Sequence, residues 1–261
     1  MVGKFRVLSL LGSGGFSTVY AATDLIEDRR VALKIPERQY VDDDDSAADL
    51  QREVRLMATL DHPNILPLKE ANFFGGHFAM VFPLGDETLG ERMGRRISRI
   101  NAVDLAIQMV AAVAHAHERK ILHRDIKPDN FILFPEGIVR LTDFGLARVE
   151  NRRFAASGSG TLGYIAPEQA MGKPTFRSDV FALGLVMYEL FSGEVPEYPF
   201  ETLPAWNRMR RGLTADFAAI IRKAVDPTPS RRFRDAVAMR AAMLRVRYPL
   251  ADRTVSFRDA A

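Results

Sequence analysis

The stretch His123-Arg124-Asp125-Ile126-Lys127-Pro128-Asp129-Asn130 places a carboxylate, an ammonium and a side-chain amide (Asp125, Lys127 and Asn130) within six residues. Apolar residues flank it on both sides, Ile121-Leu122 before and Phe131-Ile132-Leu133 after. A surface loop is polar at no cost, whereas a polar cluster between buried flanks needs a partner or a purpose. Two further places invite chemistry. Gly12-Ser13-Gly14-Gly15-Phe16-Ser17-Thr18 lies between two β-prone runs, and glycines two apart let a backbone approach a polyphosphate with its N–H groups turned inward. Lys34 sits inside the apolar run Val31-Ala32-Leu33-Lys34-Ile35; by alternation it shares a face with Ala32, and on a roofed face a lysine has a reason only if it meets an anion. Each has a plainer reading: a hairpin turn for the glycines, an edge-strand lysine pointing to water for Lys34, a structural ion pair for Asp125 and Lys127.

The elements that must hold these groups are legible in outline. Phe5 to Leu11 and Val19 to Ala22 read as strands around the glycine turn, and a strand rather than a helix follows the glycines, which argues against a dinucleotide fingerprint. Val31 to Ile35 is a third strand. The spacing of Leu50, Val54, Met57 and Ala58 predicts a helix over Asp49 to Leu60, with Glu53 beside the apolar face and able to point toward Lys34; His62-Pro63 ends it. Asp42 to Asp45 read as solvated linker and helix N-terminus. Ile65 to Leu68 and Phe78 to Phe82 read as two more strands, joined around Gly75-Gly76. Phe82-Pro83-Leu84-Gly85-Asp86 breaks the strand pattern, and helical periodicity dominates beyond it. Asn101 to Glu118, Ser178 to Ser192, Phe217 to Val225 and Ala236 to Val246 are expected helices, and His115 and His117 are expected as helix C-terminal residues rather than ligands. Ile138 to Leu141 is a short strand before Thr142-Asp143-Phe144-Gly145. Arg148 to Gly160 is rich in glycine and serine without periodicity.

Composition narrows the classes. At 261 residues with 47% hydrophobic and 26% charged residues, the chain is an ordinary globular protein. A net charge of +3 without basic clusters interleaved with aromatics does not suggest nucleic acid. Cysteine is absent, which removes disulfides and thiolate metal sites. No apolar run approaches the roughly 20 residues of a membrane span, and Met1-Val2-Gly3-Lys4 does not open a signal peptide. The expectation is a soluble, cytoplasmic protein.

Taken jointly, Gly12-x-Gly14-x-x-x-x-Val19, Val31-Ala32-Leu33-Lys34, Glu53, His123 to Asn130, Asp143-Phe144-Gly145 and Ala166-Pro167-Glu168, in that order, resemble the eukaryotic-type Ser/Thr protein kinase domain over about residues 5 to 246, in the style of its bacterial branch. The resemblance implies an α+β, two-lobe fold with a small antiparallel-sheet N-lobe carrying one main helix and a larger, mainly helical C-lobe. It implies one kinase domain over residues 1–261, with the N-lobe over about 1–81, a hinge at 82–84 and the C-lobe over about 85–261. It implies transfer of the γ-phosphoryl group of ATP to protein serine and threonine hydroxyls, with Mg2+ (or Mn2+) as the metal. Lys34 then holds phosphates and Glu53 fixes Lys34; Asp125 takes the substrate proton and Lys127 neutralises the moving group; Asn130 and Asp143 hold the metal. Gly12, Gly14 and Gly15 form the phosphate loop. Val19, Ala32 and Ile132 sandwich adenine, Val81 is the gatekeeper, and Phe82 to Leu84 face the base. Asp179 pins the catalytic loop, and Glu168 and Arg232 form the ion pair of the helical lobe.

Lys127 and Thr161 fit Ser/Thr rather than tyrosine acceptors. Ser17 departs from the family pattern, standing where a third glycine is usual, which implies a stiffer loop. Arg124 and Arg148 near a serine-rich segment imply an anion between them, with Ser157 and then Ser159 as autophosphorylation candidates and a transient homodimer for reaction in trans. A non-catalytic binding module is the second reading, disfavoured because every catalytic position is filled. A small-molecule phosphotransferase is the third, disfavoured by the Gly-Thr…Ala-Pro-Glu segment.

Overall fold

The computed structural model describes residues 1–14, 17–41, 44–144, 162–197, 199–200 and 202–246. Five antiparallel strands form one sheet in the order β1-β2-β3-β5-β4: β1 Phe5–Ser13, β2 Ser17–Asp24, β3 Arg29–Pro36, β4 Glu70–Phe74 and β5 His77–Pro83. The β2–β3 register sets Val19 against Lys34 and Ala21 against Ala32. The β3–β5 register sets Lys34 against Met80 and Ala32 against Phe82. Because directly opposed residues share a face, Val19, Lys34, Ala32, Met80 and Phe82 line one side of the sheet. Phe5, Ala22, Val31, Leu33, Phe74, Ala79 and Val81 form a separate cluster on the other.

The helix Asp44–Thr59 carries the buried Glu53 to the Lys34 face. The expected strand at Ile65 to Leu68 is not one: β4 begins at Glu70. Ile65 makes a single parallel bridge to Leu141 instead, and Pro67, lacking an N–H, cannot extend it.

After β5 the chain is strapped to a second sheet, β6-β7-β8, with β6 Glu87–Thr88, β7 Phe131–Phe134 and β8 Ile138–Leu141. The strap is tight. A Cβ on Gly85 would stand 2.3 Å from Ile132 Cγ2 and 2.8 Å from the Leu133 carbonyl, so only glycine passes there. Thr88 and Glu91 form a capping box at the start of the helix Leu89–Met93, readable in the sequence as Thr-x-x-Glu. Helices Arg99–Glu118, Phe176–Ser192, Ala215–Ala224 and Ala236–Met243 enclose the main core, which includes Leu105, Met109, Val113, Phe181, Leu183, Ile221 and Met239. Phe176–Ser192 is buried nearly all round, and Gly184 lets it approach Ala224, whose Cβ would be 2.7 Å from an added Cβ. Among the described residues no helix is long and apolar enough to cross a membrane.

Candidate active site

Lys34 is buried and reaches two carboxylates, Glu53 Oε1 at 3.1 Å and Asp143 Oδ1 at 2.7 Å. β3 supplies the lysine, the helix supplies Glu53, and the turn after β8 supplies Asp143. Burial alone would lower the ammonium's pKa; the charges of Asp143 and Glu53 outweigh it and hold it above its ordinary value. For Asp143, burial pushes upward and the Lys34 charge outweighs it, so the carboxyl stays ionised well below its ordinary range.

The polar loop folds against the same turn. Asn130 Nδ2 donates to the Asp125 carbonyl at 2.7 Å and to Asp125 Oδ2 at 2.9 Å, and Lys127 Nζ pairs with Asp125 Oδ2 at 2.8 Å. The Asn130 carbonyl in turn accepts from the Thr142 amide at 2.9 Å. His123 Nδ1 accepts from the Asp125 amide, which leaves Nε2–H to donate to the Thr142 carbonyl at 2.8 Å. Phe144 packs edge-on to the His123 ring at 4.8 Å. Arg124 and Asp143 both hold positive φ, 68° and 64°, a strained conformation kept only where the surroundings over-determine it. Part of that bracing comes from Asp179: its Oδ2 accepts from the His123 amide at 2.8 Å and from His117 Nε2 at 3.0 Å, and its Oδ1 accepts from the Arg124 amide at 2.8 Å. Asp179 is thus no helix cap; Thr175 is. His117, expected only as a helix-end residue, is buried and also accepts from the Ala236 amide through Nδ1 at 3.0 Å. Glu168 and Arg232 pair at 2.8 Å.

A cleft of about 290 Å³ lies between the two sheets. It is lined by Leu11, Gly12, Val19, Ala32 and Lys34 from the first sheet, by Phe82 to Thr88 along the strap, and by Ile132, Thr142 and Asp143 below. That volume is near the lower edge of the roughly 300–1,000 Å³ of small-ligand clefts. Of the expected lining residues, Gly12, Val19, Ala32, Lys34, Phe82, Leu84 and Ile132 are there. Val81 is not: its side chain packs in the opposite-face cluster with Leu33 and Phe5. The strand period of two puts Met80 and Phe82 on the cleft face in its place. Gly14 instead closes the turn, its amide donating to the Ser17 carbonyl at 2.9 Å. Leu11, Thr88, Glu91 and Asp129 also line the cleft and went unread, although the Thr-x-x-Glu box marked two of them. Gly15, Arg148, Ser157, Ser159 and Thr161 lie outside the described residues.

Asp143 and Asn130 offer oxygen donors, the chemistry a hard cation such as Mg2+ takes. Asn130 Nδ2 is spent on Asp125, which leaves its side-chain carbonyl for a cation. Among the described residues no group of three or more His, Cys, Asp or Glu converges as a metal cage. Mg2+ is a cation commonly held by one or two protein groups, with phosphate oxygens and water completing its shell.

A family model described as the protein kinase domain matches residues 5–247. The chain is 32% identical over 257 residues to the serine/threonine-protein kinase PrkC of Bacillus subtilis, covering 92% of this chain and 40% of that protein. It is 35% identical over 206 residues to the serine/threonine-protein kinase PknA of Mycobacterium tuberculosis, covering 74% and 48%. The chain therefore spans less than half the length of these curated relatives. The crystal structure of the Mycobacterium tuberculosis PknI kinase domain superposes with a TM-score of 0.70 at 24% identity, covering 94% and 96% of the two chains, a likeness of fold.

Proposed function

We propose that this chain, which belongs to the protein kinase domain family, transfers the γ-phosphoryl group of ATP to serine and threonine hydroxyls of proteins. One observation supports the reading: a phosphate-seeking ammonium (Lys34) and a carboxylate (Asp143) meet in the cleft, and the loop in which Lys127 and Asn130 both bond Asp125 packs against the same turn through Thr142. In-line phosphoryl transfer asks a protein for position and charge rather than covalent chemistry. Lys34, fixed by Glu53, holds the α- and β-phosphates. Asp125, oriented by the Asn130 amide, accepts the proton of the acceptor hydroxyl as its oxygen bonds to the γ-phosphorus and ADP departs. Lys127, already 2.8 Å from Asp125, neutralises charge on the moving group. Asp143 and the Asn130 side-chain oxygen would hold Mg2+, which would supply positive charge to offset that of the phosphates. Adenine lies among Val19, Ala32, Phe82 and Ile132, against the backbone of the strap.

The reaction belongs where ATP is plentiful, in the cytoplasm. Autophosphorylation at Ser157 or Ser159, in a transient homodimer and with Arg124 and Arg148 as phosphate partners, is the regulatory part of the same proposal. Labelled ATP, Mg2+ and a generic basic protein should yield phosphoserine and phosphothreonine on both proteins. Label confined to small molecules would reject protein as the substrate. Unchanged phosphate content and rate in the Ser157→Ala, Ser159→Ala double variant would reject the regulatory part.

A further inference from the structure

The segment after the Asp44–Thr59 helix, the end of the long helix Arg99–Glu118 and the last helix Ala236–Met243 bring together a group that takes no part in the cleft. The rings of His62 and His115 lie 4.7 Å apart between centroids, tilted by 44°. The Asn64 amide donates to His62 Nδ1 at 3.0 Å, and Arg119 Nη1 meets His115 Nδ1 at 3.1 Å. A backbone N–H and a guanidinium can only donate, so both Nδ1 atoms are acceptors and each neutral ring carries its proton on Nε2. His115 Nε2 is buried and has no acceptor among the described residues.

A buried donor left unmet costs about 1–3 kcal/mol, and folded proteins usually meet one with an ordered water or an ion. The surroundings choose between these. The charges of Arg119 and Arg240 disfavour the imidazolium forms of both rings, and those of Asp61 and, for His115, Glu118 favour them. A metal cation is excluded: both Nε2 atoms carry protons instead of free lone pairs, and two guanidinium groups would repel it. The unmet need is for an acceptor oxygen at His115 Nε2.

We propose that His62, His115, Arg119 and Arg240 form a binding site for a tetrahedral oxyanion of the phosphate class, either free phosphate or a phosphomonoester. Guanidinium groups present donors in a fork that fits phosphate oxygens, and the Nε2–H groups supply what remains. Burial first, and then the neighbouring cations, hold His62 at about 4 and His115 below its ordinary value; a bound dianion favours both imidazolium forms and so raises both values. Through His62 such a ligand would touch a strut of the fold, since the next two carbonyls, Pro63 and Asn64, accept from Arg140 Nε at 3.2 Å and the Leu141 amide at 2.8 Å.

The test is a titration of the histidine Cε1–H resonances of the whole chain at constant ionic strength, with inorganic phosphate in one arm and a neutral phosphoserine peptide in another. Chloride is the control. Saturable shifts at His62 and His115, with both apparent pKa values rising by about one unit or more, support the site; the arm that saturates at lower concentration identifies the source. Arg119→Gln and Arg240→Gln should each weaken binding about tenfold, the loss of one charge-assisted bond. No saturation in either arm overturns the proposal, as does an equal response to chloride. Undiminished binding in a folded Arg240→Gln variant also overturns it, and the titration of the unsubstituted chain decides alone if a variant fails to fold.

Discussion

An ammonium as buried as that of Lys34 persists because two carboxylates meet it. Replacing it with methionine keeps the volume and removes the charge; the expected result is a fall in phosphotransfer of roughly 10²–10³-fold, the scale of one lost preorganised donor, read as initial rate with labelled ATP. Lys34 was legible because one cation in an apolar strand has few explanations. Val81 was misplaced because counting along the sequence does not give the pleat; pairing with Leu33 does. Two truncations separate these faces. Val81→Ala should lower stability by about 1.5 kcal/mol, two methyl equivalents at roughly 0.8 kcal/mol each, while leaving nucleotide affinity unchanged. Phe82→Ala should weaken ATP binding about tenfold. Calorimetric titration with ATP, paired with denaturant unfolding, reads both, and the reverse pattern would return Val81 to the cleft. His62, whose pKa is held near 4, makes a pH statement of its own. The unfolded chain binds its proton near 6.5 and the folded chain only near 4, so stability is full above about 6.5 and declines as pH falls toward 4. In phosphate-free buffer, His62→Asn should flatten that part of the stability profile.

Elements, more than single residues, decide how the site is held. The pair between Arg232 and Glu168 ties the segment before the Phe176–Ser192 helix to the turn after Ala215–Ala224. The Arg232 guanidinium is fully buried, so Arg232→Ala strands a carboxylate and should cost about 3–5 kcal/mol, measured as a lower midpoint in urea. Glycine at the strap is equally exacting, because Gly85 has no room for a Cβ against Ile132 and Leu133. The long helices and most strands were readable from apolar period. The true place of β4 was not, since Ile65 to Leu68 is as apolar as a strand and only the hairpin partner at β5 reveals that pairing starts at Glu70. His117 was unreadable for a related reason: its partners, Asp179 and the Ala236 amide, are distant in sequence, and periodicity says nothing about them.

At the scale of the molecule, residues far apart in the chain converge on one cleft between a small sheet and a helical body. Lys34, Glu53, Asp143 and the loop that carries Asp125 and Asn130 come from four segments that only the fold unites. Their order was legible in the sequence; their mutual distances, and the bracing of the loop by Asp179, came from the structure. The central claim is that Asp125 serves the chemical step rather than nucleotide binding. Its most direct test compares Asp125→Asn with the unsubstituted chain in single-turnover phosphotransfer and in ATP binding under identical Mg2+. The account predicts unchanged ATP affinity with transfer reduced about 10²–10⁴-fold, the range for a lost general base; undiminished transfer by the folded variant would contradict it.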